Sequence, residues 1–229
     1  MSEEAPARTA TVERLLEAAE AEFALRGFAE ARLEDIAAAA GVRRASLLYH
    51  FETKQVLYER VLERAFADVR ALIVAAIGRT AASYAERLDD VVGRSVDVFT
   101  RRPLFSRLIM RDALDNAAQS AERAKMHVLP LLELGDAFMR GGQAEGEFRD
   151  DVEPRTLLLF FTGAIIFHAS MSDGQRDVLW GPGHASGRGL RAYRETVRAM
   201  VRRIVVPLSS APITAKPARR RATRRADLA

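Results

Sequence analysis

Apolar side chains recur along this chain at helical intervals. Val12, Leu15, Leu16, Ala19 and Phe23 follow the i, i+3, i+4, i+7, i+11 spacing of one buried helix face. Thr11 is expected to cap that helix, Glu13 suits its first turn and Gly27 predicts its end. Short helices follow at about 33–40, ending at Gly41, and at about 44–50; a long one runs from Thr53 to about residue 77. Beyond residue 80 the pattern predicts helices at about 84–100, 103–118, 121–141, 154–171 and 189–206, with Pro103 starting one and Pro130 kinking or interrupting another. No segment alternates with the period of a strand, so the expected fold is all-α. GGQAEGEFRDDVEP reads as a polar connector and GQRDVLWGPGHASGRG as a glycine-rich loop. Neither follows a strand, so neither is a phosphate-binding loop.

Residues 33–51, LEDIAAAAGVRRASLLYHF, have the spacing of a helix-turn-helix. Ile36 and Ala40 point inward from the first helix, and Ala37 is small enough for a second helix to cross above it. Gly41 suits the left-handed conformation of the turn, Val42 plugs the corner, and Leu47 with Phe51 buries the inner face of the second helix. Arg43, Arg44, Ser46, Tyr49 and His50 are left facing outward. Arg43 and Arg44 stand at a helix start and Lys54 at the next, where the helix dipole disfavours cations. Cations held against the local field point to an external anion, and DNA phosphate fits; Ser46 and Tyr49 add donors for phosphate or base edges.

Composition changes this picture in one respect. The chain of 229 residues carries a formal net charge of +4, but residues 207–229 hold six cations against one acid. Residues 1–206 are therefore close to neutral, and overall basicity is no argument that the body binds nucleic acid. The proline- and arginine-rich tail is expected to be disordered, serving as a solubilising extension or as an auxiliary DNA-affinity arm. The absence of cysteine excludes disulfides, thiolate zinc sites and a cysteine nucleophile. Ser106, Ser120 and Ser170 lie in helical segments without a catalytic motif, and the pairs Asp89-Asp90 and Asp150-Asp151 read as caps or linkers. No enzyme, cofactor or metal is expected. The N-terminus is acidic and amphipathic rather than a secretory signal. The longest near-apolar run, LLLFFTGAIIF, is too short for a membrane span. A soluble, cytoplasmic protein with no membrane partner is expected.

With these residues in place, the segment ERLLEAAEAEFALRGFAEARLEDIAAAAGVRRASLLYHFETKQVLYERVL resembles the N-terminal domain of the tetracycline-repressor (TetR) family of bacterial regulators. Phe23, Gly27-Phe28, Asp35-Ile36-Ala37, Ala40-Gly41-Val42, Tyr49-His50-Phe51, Lys54 and Leu57 carry the likeness. Further on, the likeness lies in length, helicity and the segment GEFRDDVEPRTLLLFFTGAI. The chain departs from the family at Arg32 and Arg43, where Ser or Thr is usual, at Ala45 for Gly and at Leu48 for Tyr, so that a phosphate contact is expected to be lost or moved to Tyr49.

The resemblance implies a three-helix helix-turn-helix DNA-binding domain over 1–52, a helical effector-binding and dimerisation domain over 53–206, and a basic tail over 207–229. It implies a sequence-specific transcriptional regulator: a homodimeric, ligand-released repressor on a palindromic operator in double-stranded DNA. Arg32, Arg43, Arg44, Ala45, Ser46, Tyr49, His50 and Lys54 would form the DNA face. Helices 154–171 and 189–206 would build the dimer interface, the first apolar nearly all round and the second through a stripe of Leu190, Tyr193, Val197, Val201 and Ile204. A largely apolar small-molecule effector would meet some of Phe99, Phe105, Leu108, Met110, Met126, Leu129, Phe138, Phe160, Phe167 and His168, each of which taken singly is better suited to an ordinary core. A rival reading also stands: sequence-blind DNA association driven by the basic tail.

Overall fold

The structure, a computed structural model, describes residues 4–115 and 117–207. The arginine cluster of the tail lies outside the described residues. The fold is all-α, in the order α1 (Glu4–Glu30), α2 (Leu33–Ala39), α3 (Arg44–His50), α4 (Lys54–Ile77), α5 (Tyr84–Arg101), α6 (Pro103–Asp115), α7 (Ala117–Arg123), α8 (Leu129–Ala144), α9 (Pro154–Ser170), α10 (Asp173–Trp180) and α11 (Gly187–Val205).

Local chemistry sets most of these boundaries. Thr53 caps α4 by accepting from the Val56 amide, and Ser83 with Glu86 forms a reciprocal capping box at α5. At α9 the Glu153 carboxylate accepts from two amides while Pro154 occupies the first turn, where its missing N–H costs nothing. Pro130 interrupts the α-helical pattern, one of the two expected outcomes, while Arg123, Val128 and Leu129 keep right-handed helical dihedrals. A π-helical turn over Ala124–Val128 precedes α8 and carries the chain past the carbonyl that the proline ring would strike.

Two expectations need correction. Thr11 does not begin α1, which starts at Glu4 and places Thr11 inside the helix. Gly27 does end the first helical stretch as expected: at φ 80° and ψ 170° it breaks α1, so that Phe28 turns back onto Phe23 and Tyr58. The segment read as a glycine-rich loop contains α10, nucleated by a capping box between Ser172 and Gln175 and stopped at Gly181 with φ 100°. Gly174 and Gly181 concealed a start signal that Ser172 and Gln175 already carried.

Two clusters of buried side chains share α4. The first gathers Leu15, Phe23, Ile36, Leu47, Phe51, Leu57, Tyr58 and Val61 from α1 to α4, and it also takes Leu108 from α6. The second gathers Val69, Val96, Phe99, Phe105, Phe138, Met139, Ile165, Ile166, Val197 and Val201. Ionic and polar contacts tie the two at their joint. Glu20 lies 3.2 Å from Arg64 and 3.0 Å from Arg102. The Tyr58 hydroxyl donates to Asp112 at 2.9 Å, and Arg123 approaches the same carboxylate at 2.6 Å. Among the described residues no single helix is long and apolar enough to cross a membrane; α9 and α10, which pass that test only together, meet at a bend of 114°.

Candidate nucleic-acid interface

The outward face of α3 follows from how α2 and α3 pack. Ile36 and Ala37 are buried, and Gly41 at φ 70° turns the chain sharply; the Val42 amide then closes the corner on the Ala37 carbonyl at 2.9 Å. Leu47 and Phe51 anchor α3 in the first core, and Leu48 packs partly against it. This register leaves Arg44, Ala45 and Tyr49 exposed, with Ser46 and His50 half-buried at the edges. Tyr49 is 72% exposed, which no packing role explains.

Arg32 and Arg43 stand at the N-cap positions of α2 and α3, both exposed, and neither caps its helix through its side chain. Arg44 pairs with Glu34 at 3.0 Å, both more than half exposed, a bond worth little in water and readily exchanged for phosphate. Because α1 begins earlier than expected, it also brings the Arg8 guanidinium 5.5 Å from the Tyr49 ring centre. Sequence reasoning missed Arg8 because it started the helix at Thr11.

Lys54 sits differently from the other cations. Its ammonium donates to the Ala29 and Ala31 carbonyls at 3.1 and 3.0 Å and lies over the Phe28 ring at 4.7 Å. Its charge against the dipole of α4 is thus answered inside the protein, by the carbonyl end of α1, and it is no evidence for an external anion.

Two family models match this architecture. "Bacterial regulatory proteins, tetR family" matches residues 15–61, and "Tetracyclin repressor-like, C-terminal domain" matches residues 85–201, more than half of the chain. The chain belongs to the TetR family. It is 30% identical over 203 residues to the HTH-type transcriptional repressor SCO4008 of Streptomyces coelicolor, covering 86% of this chain and 95% of that one. Its fold is that of the fatty acid degradation regulator FadR from Bacillus halodurans, with TM-score 0.66 and 17% identity over 83% of this chain and 97% of that one. It is likewise that of FadR from Bacillus subtilis in complex with stearoyl-CoA, with TM-score 0.66 and 15% identity over 82% and 96%. This TetR-family chain is a DNA-binding transcriptional regulator and not an enzyme.

The body does not gather the expected effector-lining residues into one place. Phe99 and Phe105 stack at 5.9 Å in the second core, which Phe138 shares. Leu108 is buried in the first core instead. Met126, Leu129, Phe160 and Phe167 are exposed, the last two on α9. Met110 lines a surface hollow with Arg107 and Arg111. His127 stacks flat on Phe66 at 5.2 Å, and burial lowers its pKa. His168 is buried against Tyr193, ring centres 3.7 Å apart, and its Nε2 meets His184 Nε2 at 3.0 Å. Burial first, then His184 and Arg176, push its pKa down to about 4. The ring centres of the two histidines are 5.3 Å apart, so the nitrogens point head-on at each other, as in a shared N–H···N bond and unlike two ligands converging on a metal.

Proposed function

We propose that this regulator is a homodimeric, ligand-released repressor that reads a palindromic operator through α3. The observation that carries the reading is the exposed face of Arg32, Arg43, Arg44 and Tyr49, displayed on a buried scaffold and, among the described residues, paired with a carboxylate only at Arg44. The proposed division follows: residues 1–52 read DNA, 53–206 respond and dimerise, and 207–229 form the tail. Those are the terms of a cytoplasmic regulator.

A second face supports the dimer. Phe160 and Phe167 on α9 are 66% and 55% exposed, Leu159 stands beside them, and a side chain added at Gly163 would meet nothing. Such an apolar strip on one chain calls for a partner. The contribution of α11 differs from the expected stripe. Tyr193 packs partly against the second core, and Val197 and Val201 are buried in it, leaving Met200 and Ile204 as its exposed large apolar residues. Two α3 helices related by a two-fold axis would meet successive major grooves on one DNA face.

Release works by population shift: an effector that prefers a wider separation of the heads lowers DNA affinity by its differential affinity alone. The lever is α4, whose first turn holds the head through Lys54 and whose Tyr58 and Arg64 reach the joint. The stearoyl-CoA bound to the B. subtilis regulator supports a largely apolar effector here.

The test compares two variants of the full chain on a random duplex pool at about 150 mM salt, where backbone-only binding is weak. Replacing the five tail arginines by alanine is expected to leave sequence enrichment intact, whereas Arg43→Ala with Arg44→Ala abolishes it. The reverse outcome would favour sequence-blind binding through the tail.

A further inference from the structure

Six of the buried and half-buried arginines meet carboxylates: Arg64, Arg102, Arg123, Arg176, Arg194 and Arg198. Half-buried Arg87 instead lies over the Tyr84 ring at 3.9 Å and donates to the Ile77 carbonyl. Arg107 and Arg111 also meet no carboxylate among the described residues. They stand four residues apart on one face of α6, both half-buried. Arg107 Nε donates to the Ser170 carbonyl at the end of α9, at 2.9 Å. One Arg111 Nη donates to the Leu25 carbonyl of α1, also at 2.9 Å. A guanidinium has five N–H groups, so each arginine has donors to spare. Between them lies a hollow of about 340 Å³ whose remaining lining is Ala24, Leu25, Met110 and Ser170. Two guanidiniums that meet one carbonyl each and keep further N–H donors, beside Ala24, Leu25 and Met110, suit a small molecule with one anionic end and one apolar body. The volume lies at the lower end of the range for ligand pockets.

We propose that this hollow between α1, α6 and α9 binds a small organic acid, its carboxylate held by Arg107 and Arg111 and its apolar part against Leu25 and Met110. The proposal deepens the ligand-released reading and rests on it only for its regulatory consequence. A carboxylate that engages the spare donors of Arg111 draws on the same guanidinium that holds the Leu25 carbonyl, two residues before the bend at Gly27. Beyond that bend, Phe28 packs on Tyr58 and the α1 carbonyls receive Lys54. Binding at the hollow therefore acts on the contacts that orient the head on α4.

The site is tested without DNA, by calorimetric titration and backbone-amide NMR of the full chain with benzoate, octanoate and inorganic phosphate. Saturable binding of benzoate or octanoate is expected, with shifts at Leu25, Met110 and Ser170. Arg107→Gln with Arg111→Gln retains a donor near each carbonyl and is expected to weaken binding at least about tenfold, since charge-assisted bonds are lost. Met110→Trp keeps both arginines, fills the hollow and is expected to abolish binding even if the double variant folds poorly. Unsaturable shifts, shifts confined to other surfaces, or wild-type affinity in the filled variant would overturn the site. Phosphate binding as tightly as benzoate would overturn the organic-acid class. Failure of the regulatory reading shows separately: benzoate binds at the hollow, yet a duplex enriched from the random pool keeps its affinity.

Discussion

The head and the body differ in what they leave uncovered. The head exposes Arg32, Arg43, Arg44 and Tyr49, groups that water solvates and that the proposed DNA contact would take over. The body exposes Leu159, Phe160 and Phe167 on α9, and Val178, Leu179 and Trp180 on α10, groups that water does not solvate well. A polar binding face can therefore stand free without cost to the fold, whereas an apolar one implies a partner that is present for most of the protein's life. DNA is the occasional partner in this account and the second subunit the permanent one.

The largest effect is expected where the apolar face is broken. Phe160→Asp with Phe167→Asp should convert the dimer to monomer, raising its dissociation constant by several orders of magnitude through lost burial and a desolvated charge, as sedimentation would show. A monomer already present in the wild type would remove the contrast between the two faces. Next comes the scaffold beneath the polar face. Leu47→Ala should lower stability by about 2–5 kcal/mol in denaturant titration, because Leu47 is fully buried. Tyr49→Ala should leave stability unchanged while weakening operator binding by about 1–3 kcal/mol. Equal melting temperatures for these two variants would refute the assignment of faces.

A pH titration separates the regions further. His168 is held near pKa 4 when folded against 6.5 when free, so its contribution is fully present above pH 6.5 and is lost as pH falls toward 4. By pH 5 the body should lose about 2 kcal/mol, measured by thermal melting at pH 7 and pH 5. His168→Phe, which keeps the stacking on Tyr193, should flatten that dependence. The smallest effect belongs to Glu34→Gln, which frees Arg44 and should raise operator affinity by a few-fold, seen in low-salt binding curves. A drop in affinity instead would mean that Glu34 itself orients Arg44 for contact.

The helix-turn-helix was legible because its packing is decided within nineteen residues. Spacing alone put Ile36, Leu47 and Phe51 inside and Tyr49 outside, and the left-handed turn at Gly41 needed only a glycine. Lys54 was misread because its partners, the carbonyls of Ala29 and Ala31, come from a helix end more than twenty residues away. Leu108 was misplaced for a similar reason: α6 packs on α1 as well as α9, so its apolar face is divided between two cores. The effector-lining residues did not assemble because apolar periodicity marks a buried face without saying whether neighbour, partner subunit or ligand covers it. Phe160 and Phe167 show this directly.

The most direct test of the central claim is selection of the wild-type chain on random duplex DNA at about 150 mM salt, followed by sequencing of the bound pool. The account predicts an enriched inverted repeat whose half-site centres are separated by about one helical turn or a multiple of it. A single unpaired motif would contradict the dimeric reading, and a pool with no enrichment would contradict sequence readout by α3.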